Sequence, residues 1–315
     1  MDVVVFGAGS LGSLVGAVLS RRHDVTLVGR APHVEAVDAE GLRVTGVESF
    51  VAHPAATTEG TGLTADLAVV TVKAFDTAAA AEALATGDVS AVLSLGNGMG
   101  NEATLADRLD APVVAGTTAL GAALEAPGRV AWLGRGETAV GPWADGGTED
   151  GSAGDRGESA ARAARRAGAA LRVAGLPTTV TGAIRERLWE KLAANAAINP
   201  LTALGGVRNG AVFDPPLDGV AAAAAREAAA AARASGVALS DGTAVGAARR
   251  VARATADNRS SMAQDLAAGR RTEVDAINGH VVEALGADAA PVNATLAALV
   301  RAREGDRSGG GTGDV

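Results

Sequence analysis

The chain keeps lysine at only two positions, Lys73 and Lys191, among 28 basic residues, so the other 26 (28 minus 2) are arginine. Arginine is a permanently charged planar fork, whereas lysine can shift its pKa and release a proton. The two lysines therefore suggest chemistry that arginine cannot do, with surface lysines of a biased composition as the alternative. Lys191 is followed at helical spacing by Asn195 and Asn199, and Pro200 predicts the end of that helix. This polar stripe is either a solvated surface or the lining of a site.

A second set of residues suited to chemistry is the GxGxxG pattern of Gly7, Gly9 and Gly12. The β-branched run at 2–6 predicts a strand before the pattern, and the apolar stretch to Ser20 predicts a helix after it. In that setting the pattern predicts a dinucleotide site with the pyrophosphate at the helix N-terminus. The residues of this loop are Gly7, Ala8, Gly9, Ser10, Leu11 and Gly12.

The end of the second predicted strand indicates which dinucleotide is bound. Enzymes that use NAD usually place Asp or Glu there to bind the ribose 2′-hydroxyl. Here the strand ends at Val28, Gly29 and Arg30, with no carboxylate at that point. Arg30 could pair with the 2′-phosphate of NADP. The sequence therefore favours NADP (as NADPH) over NAD, with a solvated surface arginine as the alternative.

The pattern of elements predicts how these residues are positioned. Short apolar strands alternate with helices over residues 1–181, which predicts a Rossmann-type, doubly wound parallel α/β sheet that binds NADP. Residues 183–302 have helical periodicity almost throughout, which predicts an all-α C-terminal domain at 182–304 for substrate binding and catalysis. The glycine-rich acidic stretch at 144–157 is expected to be a flexible loop, and residues 305–315 a disordered tail.

Composition excludes several classes of function. The chain has no cysteine, which excludes disulfides and thiolate chemistry, and its net charge of −8 argues against nucleic-acid or anionic-membrane surfaces. No apolar run approaches the roughly 20 residues that span a bilayer. A cytoplasmic location and a small-molecule partner are the resulting expectations, and no metal site is expected. The sequence leaves the oligomeric state open, with a homodimer among the assemblies that it allows.

A second polar cluster, DNRSSMAQD followed by RRTEVDAING, lies within residues 257–279. Ser260 or Ser261 can cap a helix that begins just after them. The residues TEVD at 272–275 resemble a capping box, which would place Glu273 in the first turn of the next helix, where the helix dipole favours a carboxylate. Helix capping alone is the alternative role of these residues.

The order of the motifs GAGSLG, TVKAFDT, LGNGMG, WEKLAANAAINPLTAL, NRSSMAQD and TEVDAING resembles the ketopantoate reductase (2-dehydropantoate 2-reductase) family. The similarity runs from Met1 to about Ala302, and the last three motifs are far more specific than the glycine loop. The resemblance implies an NADP-dependent oxidoreductase that reduces 2-dehydropantoate to (R)-pantoate, on the route to pantothenate and coenzyme A.

The resemblance also implies roles for individual residues. Lys191 would be the general acid, and Glu273 would bind Lys191 or the substrate hydroxyl. Asn97 and Lys73 would lie beside the nicotinamide and the cofactor-facing edge of the cleft. The other residues that it implies in substrate binding are Ser261, for the substrate carboxylate, and Asn195, Asn199 and Asn258. Leu95 and Gly96 stand where many members have histidine before the NGMG asparagine.

The implied mechanism agrees with the choice of lysine. A hydride that reaches a ketone leaves negative charge on oxygen, which an ammonium group can stabilise and then protonate.

Two other functions remain open. One is an NADP-dependent reductase of another branched 2-oxo or 3-hydroxy acid, and the other is an NADP sensor without catalytic activity.

Overall fold

The computed structural model describes residues 1–143 and 155–308, with side chains described as far as Gly305. The chain divides into two compact units. The first contains Met1–Gly96 and Gly100–Ile184, and the second contains Asn97–Met99 and the chain from Arg185 onward. The short segment 97–99 therefore folds with the helical part of the chain, although it lies between two segments of the α/β part.

The first unit contains all the strands of the described residues. In chain order these are β1 (Asp2–Phe6), β2 (Asp24–Val28), β3 (Leu42–Gly46), β4 (Phe50–Ala52), β5 (Ala55–Thr57), β6 (Thr64–Ala65), β7 (Leu67–Val70), β8 (Asp88–Val89), β9 (Val92–Ser94), β10 (Val113–Thr118), β11 (Gly121–Ala126), β12 (Arg129–Gly134), β13 (Thr138–Pro142) and β14 (Thr178–Val180). Its helices are α1 (Ser10–Leu19), α2 (Ala31–Glu40), α3 (Thr77–Leu84), α4 (Asn101–Ala106) and α5 (Asp155–Ala174).

Among the described residues, the main sheet has eight strands in the order β14-β13-β10-β9-β7-β1-β2-β5. Neighbouring strands are parallel except for the antiparallel pair β10 and β13. The chain winds outward from β1 in both directions, so the carboxyl end of β1 is the switch point where such sheets bind ligands. The predicted doubly wound α/β fold is confirmed.

Burial explains why the central strands are almost continuously apolar. Val5 in β1, Val69 in β7 and Leu93 in β9 are completely buried, as expected for parallel strands that are covered on both faces. A smaller sheet, in the order β11-β12-β3-β4, lies in the same unit. Its Trp132 and the helix residue Leu14 belong to the same hydrophobic core.

The regular elements of the second unit are all helical among its described residues. Its helices are α6 (Ile184–Gly205), α7 (Asp218–Ala234), α8 (Asp241–Ala254), α9 (Ser261–Ala267), α10 (His280–Leu285) and α11 (Pro291–Ser308), with a 3₁₀ turn at Asn209–Phe213 and a π-helical turn at Asp275–Gly279. The predicted helical C-terminal part is confirmed. None of the described helices is long and apolar enough to cross a membrane.

Alanine supplies most of the helix contacts in this unit. Eight alanines of α7 are buried, and alanine combines the highest helix propensity with a side chain that lets helices approach closely. This explains how a chain with only 2% aromatic residues can still build a dense helical core.

Three boundary predictions need correction. α5 begins at Asp155, so residues 155–157 are helical rather than part of the predicted loop, whose other residues, 144–154, lie outside the described ones. α11 continues to Ser308, so residues 305–308 are helical rather than tail, and 309–315 lie outside the described residues. The third correction concerns Pro200.

The prediction that Pro200 ends its helix is wrong, because α6 continues through it to Gly205. Proline has no amide hydrogen to donate to the carbonyl four residues earlier, which here is that of Ala196. The side chain of Asn278 donates from Nδ2 to this carbonyl at 3.1 Å. Since a tertiary hydrogen bond replaces the missing helical one, the helix need not stop.

Candidate active site

The glycine loop follows β1 and opens α1, as predicted. Gly7 has a φ of +106°, and the amides of Gly7 and Ala8 both donate to the carbonyl of Val28. A Cβ on Gly12 would lie 2.2 Å from the carbonyl oxygen of Gly7 and 2.5 Å from Oγ1 of Thr71. Only glycine therefore fits at position 12, where the helix packs against the turn.

Gly9, in contrast, faces open space. It is exposed, and no described atom lies within 4 Å of where its Cβ would stand. It is also the N-cap residue of α1, so a group placed beside it meets the positive end of a ten-residue helix. The loop thus offers the space and the polarity that a pyrophosphate requires, and its residues fit a dinucleotide.

The other loop residues contribute through their backbones. Oγ of Ser10 accepts a hydrogen bond from the amide of Leu124 at 3.0 Å, so this side chain has a structural partner. Ala8 is buried, and Leu11 is partly buried against the hydrophobic core. Their predicted cofactor contacts therefore depend on backbone atoms.

Lys73 and Arg30 lie beyond the carboxyl ends of two strands that flank β1. Lys73 is half-buried, follows β7 and precedes the 3₁₀ turn Ala74–Asp76. The preceding residue, Val72, lines the glycine turn, since its backbone nitrogen would lie 2.8 Å from a Cβ on Gly7. Arg30 is exposed, follows β2 and is the N-cap residue of α2. The structure thus brings both cations to the strand edge that carries the glycine loop.

His33, which sequence reasoning did not select, lies in the first turn of α2. It is only 6% exposed. The amide of Gly128 donates to Nδ1 at 3.1 Å, so Nε2 carries the hydrogen and can donate to Oγ of Ser13 at 3.0 Å. Burial lowers the pKa of His33 below its usual value. The neutral ring joins α1, the N-terminal half of α2 and the turn between β11 and β12.

The buried His33 predicts a pH effect on stability. Because its pKa is lower in the folded than in the unfolded chain, its contribution is complete above about pH 6.5 and is lost as the pH falls through the folded-state pKa. We expect the wild-type thermal midpoint to fall between pH 7.5 and pH 5.5 (about two units around that value) by more than that of His33→Gln. Equal decreases in both proteins, measured by circular dichroism, would remove His33 from this role.

α6 presents a polar stripe between two apolar faces. Lys191 and Asn195 are half-buried, and Asn199 is 5% exposed. Two hydrophobic clusters cover the other faces of the helix, with Leu192, Ala193 and Ala196 in one and Ala194, Ala197 and Ile198 in the other. Both clusters hold α6 firmly, so the direction of the polar stripe is set by the core. The stripe is not a fully solvated surface.

The structure decides which serine caps α9. Oγ of Ser260 accepts from the amide of Ala263 at 3.1 Å and lies 2.6 Å from Oγ1 of Thr202 on α6. The contact ties the start of α9 to α6, one turn beyond Asn199. Ser261 is the first helical residue and is exposed, so its hydroxyl is not used as the cap.

Segment 97–99 meets the turn that follows Glu273. Nδ2 of Asn97 donates to Oε2 of Glu273 across 3.5 Å, and the amide of Met99 donates to the carbonyl of Ala276 at 3.0 Å. Gly98 has a φ of +83°, and a Cβ there would lie 2.5 Å from Cβ of Ala276. Glycine is therefore required for this approach. The structure joins two motifs that are 176 residues apart in sequence.

The predicted capping box at 272–275 is not formed as expected. Oγ1 of Thr272 accepts from the amide of Val274 at 3.2 Å, but Asp275 pairs with Arg301 at 2.7 Å and Arg271 at 3.4 Å. These two guanidinium groups are exposed and hold the Asp275 carboxylate at the surface. Glu273 is 6% exposed, so a carboxylate is buried immediately before the π-helical turn, a type of turn that is frequent at functional sites.

Sequence reasoning missed Asn209, which lies beside the predicted residue Asn258. The amide of Asn209 donates to the carbonyl of Asn258 at 3.0 Å, and its Nδ2 donates to Oγ1 of Thr255. Its Oδ1 is buried without a hydrogen-bond partner among the described residues. Asn258 itself is exposed. Asn209 could have been identified from the sequence, because it follows Asn199 closely and lies on the segment that leaves α6.

The chain matches the models of one known protein family over most of its length. The model of the family described as ketopantoate reductase PanE/ApbA matches residues 3–145, and the model of its C-terminal part matches residues 183–304. The chain belongs to the ketopantoate reductase family. Membership confirms the resemblance inferred from the motifs, and it indicates an oxidoreductase that binds a dinucleotide.

Individual members of the family are similar to this chain over almost its whole length. A 2-dehydropantoate 2-reductase of Halobacterium salinarum is 45% identical over 97% of this chain and 100% of its own length. One of Archaeoglobus fulgidus is 41% identical over 96% of this chain and 97% of its own. The crystal structure of a PanE/ApbA family ketopantoate reductase from Ralstonia eutropha JMP134 has a TM-score of 0.84 at 33% identity and covers 98% of this chain and 100% of that chain.

Proposed function

We propose that the protein reduces 2-dehydropantoate to (R)-pantoate with NADPH, on the route to pantothenate and coenzyme A. The observation that carries this proposal is the Asn97–Glu273 hydrogen bond, which brings the NGMG motif to the buried carboxylate of TEVDAING. Both motifs belong to the ordered set that this family shares, and its relatives in Halobacterium and Archaeoglobus are named for this reaction.

Residues of the first unit would hold the nucleotide. The amides around Gly9 and the N-terminus of α1 would bind the pyrophosphate, and Arg30 would pair with the 2′-phosphate. Lys73, at the same strand edge, would contact the nicotinamide half. Asn97, which belongs to the second unit, would contact it as well. When bound, NADPH supplies the hydride that reduces C2 of the substrate.

Lys191 would act on the oxygen of the ketone. An ammonium group placed there stabilises the negative charge that develops on oxygen and then donates the proton that completes the hydroxyl. Asn195 and Asn199, on the same face of α6, would orient the substrate through their amide groups. Partial burial of the stripe lowers the local dielectric constant, which would strengthen these interactions.

The remaining polar residues would bind the two ends of the substrate. The hydroxyl of Ser261 would donate to the substrate carboxylate, since Ser260 provides the helix cap in its place. Asn258 and its neighbour Asn209 would contact the same part of the substrate. Glu273, held by Asn97, would accept a hydrogen bond from Lys191 or from the substrate hydroxyl, which would orient the proton donor.

Arg30 makes the cofactor preference testable. Arg30→Ala should weaken NADPH binding about 10–100-fold, because a charge-assisted hydrogen bond contributes roughly 1.5–3 kcal/mol, and should leave NADH binding almost unchanged. Arg22→Ala is the matched control, since Arg22 is also exposed but precedes β2 at its opposite end. Fluorescence titration with each nucleotide measures both. Equal losses of NADPH and NADH affinity would contradict the role of Arg30.

The proposed function itself is tested by a nicotinamide absorbance assay. Purified protein receives 2-dehydropantoate with NADPH or NADH, and a panel of other branched 2-oxo acids in parallel reactions. We expect the highest kcat/KM for 2-dehydropantoate with NADPH. A higher value for another 2-oxo acid would assign a different reductase activity. Tight nucleotide binding with no turnover of any acid would favour the sensor.

A further inference from the structure

Pro200 leaves one backbone carbonyl of the catalytic helix without its helical partner. Proline lacks the amide hydrogen that would bond to the carbonyl of Ala196. Ala196 is completely buried, so water cannot replace the missing donor. Ala196 also directly follows Asn195 and lies just over one turn beyond Lys191. The unbonded carbonyl would therefore lie within the helix turns that orient the polar stripe.

Asn278 supplies the missing donor. Its Nδ2 donates to the carbonyl of Ala196 at 3.1 Å and to Oδ1 of Asn293 at 2.9 Å. Asn293 in turn donates to the carbonyl of Ala224 and to Glu227. Asn278 and Asn293 are both completely buried. One amide side chain thus connects α6 to a polar network that reaches α11 and α7.

The side-chain amide of Asn278 is oriented so that it donates to its neighbours while its own oxygen accepts no hydrogen bond from the described part of the chain. Both hydrogens of its Nδ2 are used, whereas its Oδ1 is buried without a hydrogen-bond partner among the described residues. An unsatisfied buried acceptor costs folding free energy. A leucine would remove that cost but would leave the buried acceptors of Ala196 and Asn293 without their donor. Asn278 thus fixes the positions of both acceptors while its own oxygen stays unbonded among the described atoms.

Asn278 also belongs to the segment that carries the buried carboxylate. It lies in the π-helical turn Asp275–Gly279, five residues after Glu273, and the same turn accepts the amide of Met99 through Ala276. A change at Asn278 would therefore shift α6 relative to Glu273 and segment 97–99. The hydrogen bond to Ala196 joins the helix of the predicted proton donor to the segment of its predicted partner.

We propose that Asn278 is a positioning residue, which holds Lys191 and Asn195 in register with Glu273 by bonding the carbonyl that Pro200 leaves free. The proposal rests on the proposed reductase function for its kinetic consequence. Asn278 itself is not expected to contact the substrate. Pro200 and Asn278 act together: Pro200 leaves the carbonyl of Ala196 without its helical donor, and Asn278 supplies a donor in its place.

The test is a double-mutant cycle with Asn278→Ala and Pro200→Ala. Alanine at position 200 restores an amide that can bond to the carbonyl of Ala196. Asn278→Ala alone should lower kcat about 30-fold, with the Kd of NADPH within about twofold of wild type, because small displacements of catalytic groups are costly. In the Pro200→Ala background the same substitution should cost at least about threefold less. An equal loss in both backgrounds, or a loss below about twofold for Asn278→Ala alone, would overturn the proposal.

Amide hydrogen exchange of residues 197–205 gives a readout that needs no substrate. Asn278→Ala should accelerate exchange there, and Pro200→Ala should reverse the acceleration, so this result decides the inference even if wild-type protein does not reduce 2-dehydropantoate. Should Asn278→Ala fold too poorly to purify, Asn278→Ser replaces it in both backgrounds. Unchanged exchange in the single variant contradicts the proposal.

Glu227→Gln is the matched control for a purely structural effect. Glu227 accepts from the amides of Val292 and Asn293 at the start of α11, at the far end of the same network, and leaves both Asn278 donors in place. We expect a lower thermal midpoint with kcat within about twofold of wild type. A kcat loss equal to that of Asn278→Ala would show that general destabilisation explains both, and would overturn the positioning role.

Discussion

Lys191→Arg should lose about 10²–10⁴-fold in kcat while NADPH binding changes by less than about threefold, because general acid catalysis contributes that much. Arginine keeps the positive charge on the helix face but holds its proton too tightly to donate it. The substitution thus separates charge stabilisation from proton transfer. Single-turnover absorbance measurements give the rate of the chemical step, and fluorescence titration gives the Kd of NADPH.

Lys73→Arg is the matched comparison, since it makes the same change at the only other lysine. Lys73 lies at the strand edge that carries the glycine loop, where a fixed charge rather than a proton is expected to matter. We therefore expect Lys73→Arg to change the KM of NADPH more than kcat. A Lys191→Arg protein with nearly wild-type kcat would exclude Lys191 as the proton donor.

Two glycines of the cofactor loop should respond to alanine in opposite ways. Gly9→Ala should leave the thermal midpoint of the free protein within about 1 °C, since no described atom lies within 4 Å of the new Cβ and its φ of −84° suits alanine. NADPH affinity should nevertheless fall about tenfold or more, because the methyl group occupies the space expected for the pyrophosphate.

Gly12→Ala should destabilise the free protein itself. Its Cβ would lie 2.2 Å from the carbonyl oxygen of Gly7, so the backbone of the turn must move, at a cost of roughly 1–3 kcal/mol or more. The thermal midpoint should fall by several degrees, about 2–4 °C per kcal/mol for a domain of this size. If Gly9→Ala lowered the midpoint as much as Gly12→Ala while retaining NADPH affinity, the assignment of the loop would be wrong.

Local patterns in the sequence predicted several features of this protein. The glycine spacing, the strand before it and the helix after it predicted the cofactor loop, since each depends on neighbours in the chain. The stripe of Lys191, Asn195 and Asn199 depends only on helical periodicity. The family resemblance rests on the order of short motifs. These features are local, so they can be identified before any tertiary contact is known.

Predictions failed where a distant residue changed the local outcome. Pro200 should end a helix by local rules, yet Asn278 supplies the hydrogen bond that it removes. The predicted capping box gave way to ion pairs of Asp275 with Arg271 and Arg301. The Asn278 and Arg301 contacts are long-range, so no sequence window contains them, and they outweighed the local preference.

By itself, the sequence determined the fold class, the family and the residue types available for chemistry, because these follow from periodicity, spacing and motif order. Only the tertiary structure decided that Asn97 meets Glu273, that Ser260 rather than Ser261 caps its helix, and that the amide oxygens of Asn209 and Asn278 are buried without hydrogen-bond partners among the described residues. Each of these outcomes depends on which distant groups share a buried volume, and therefore on packing of the whole helical unit.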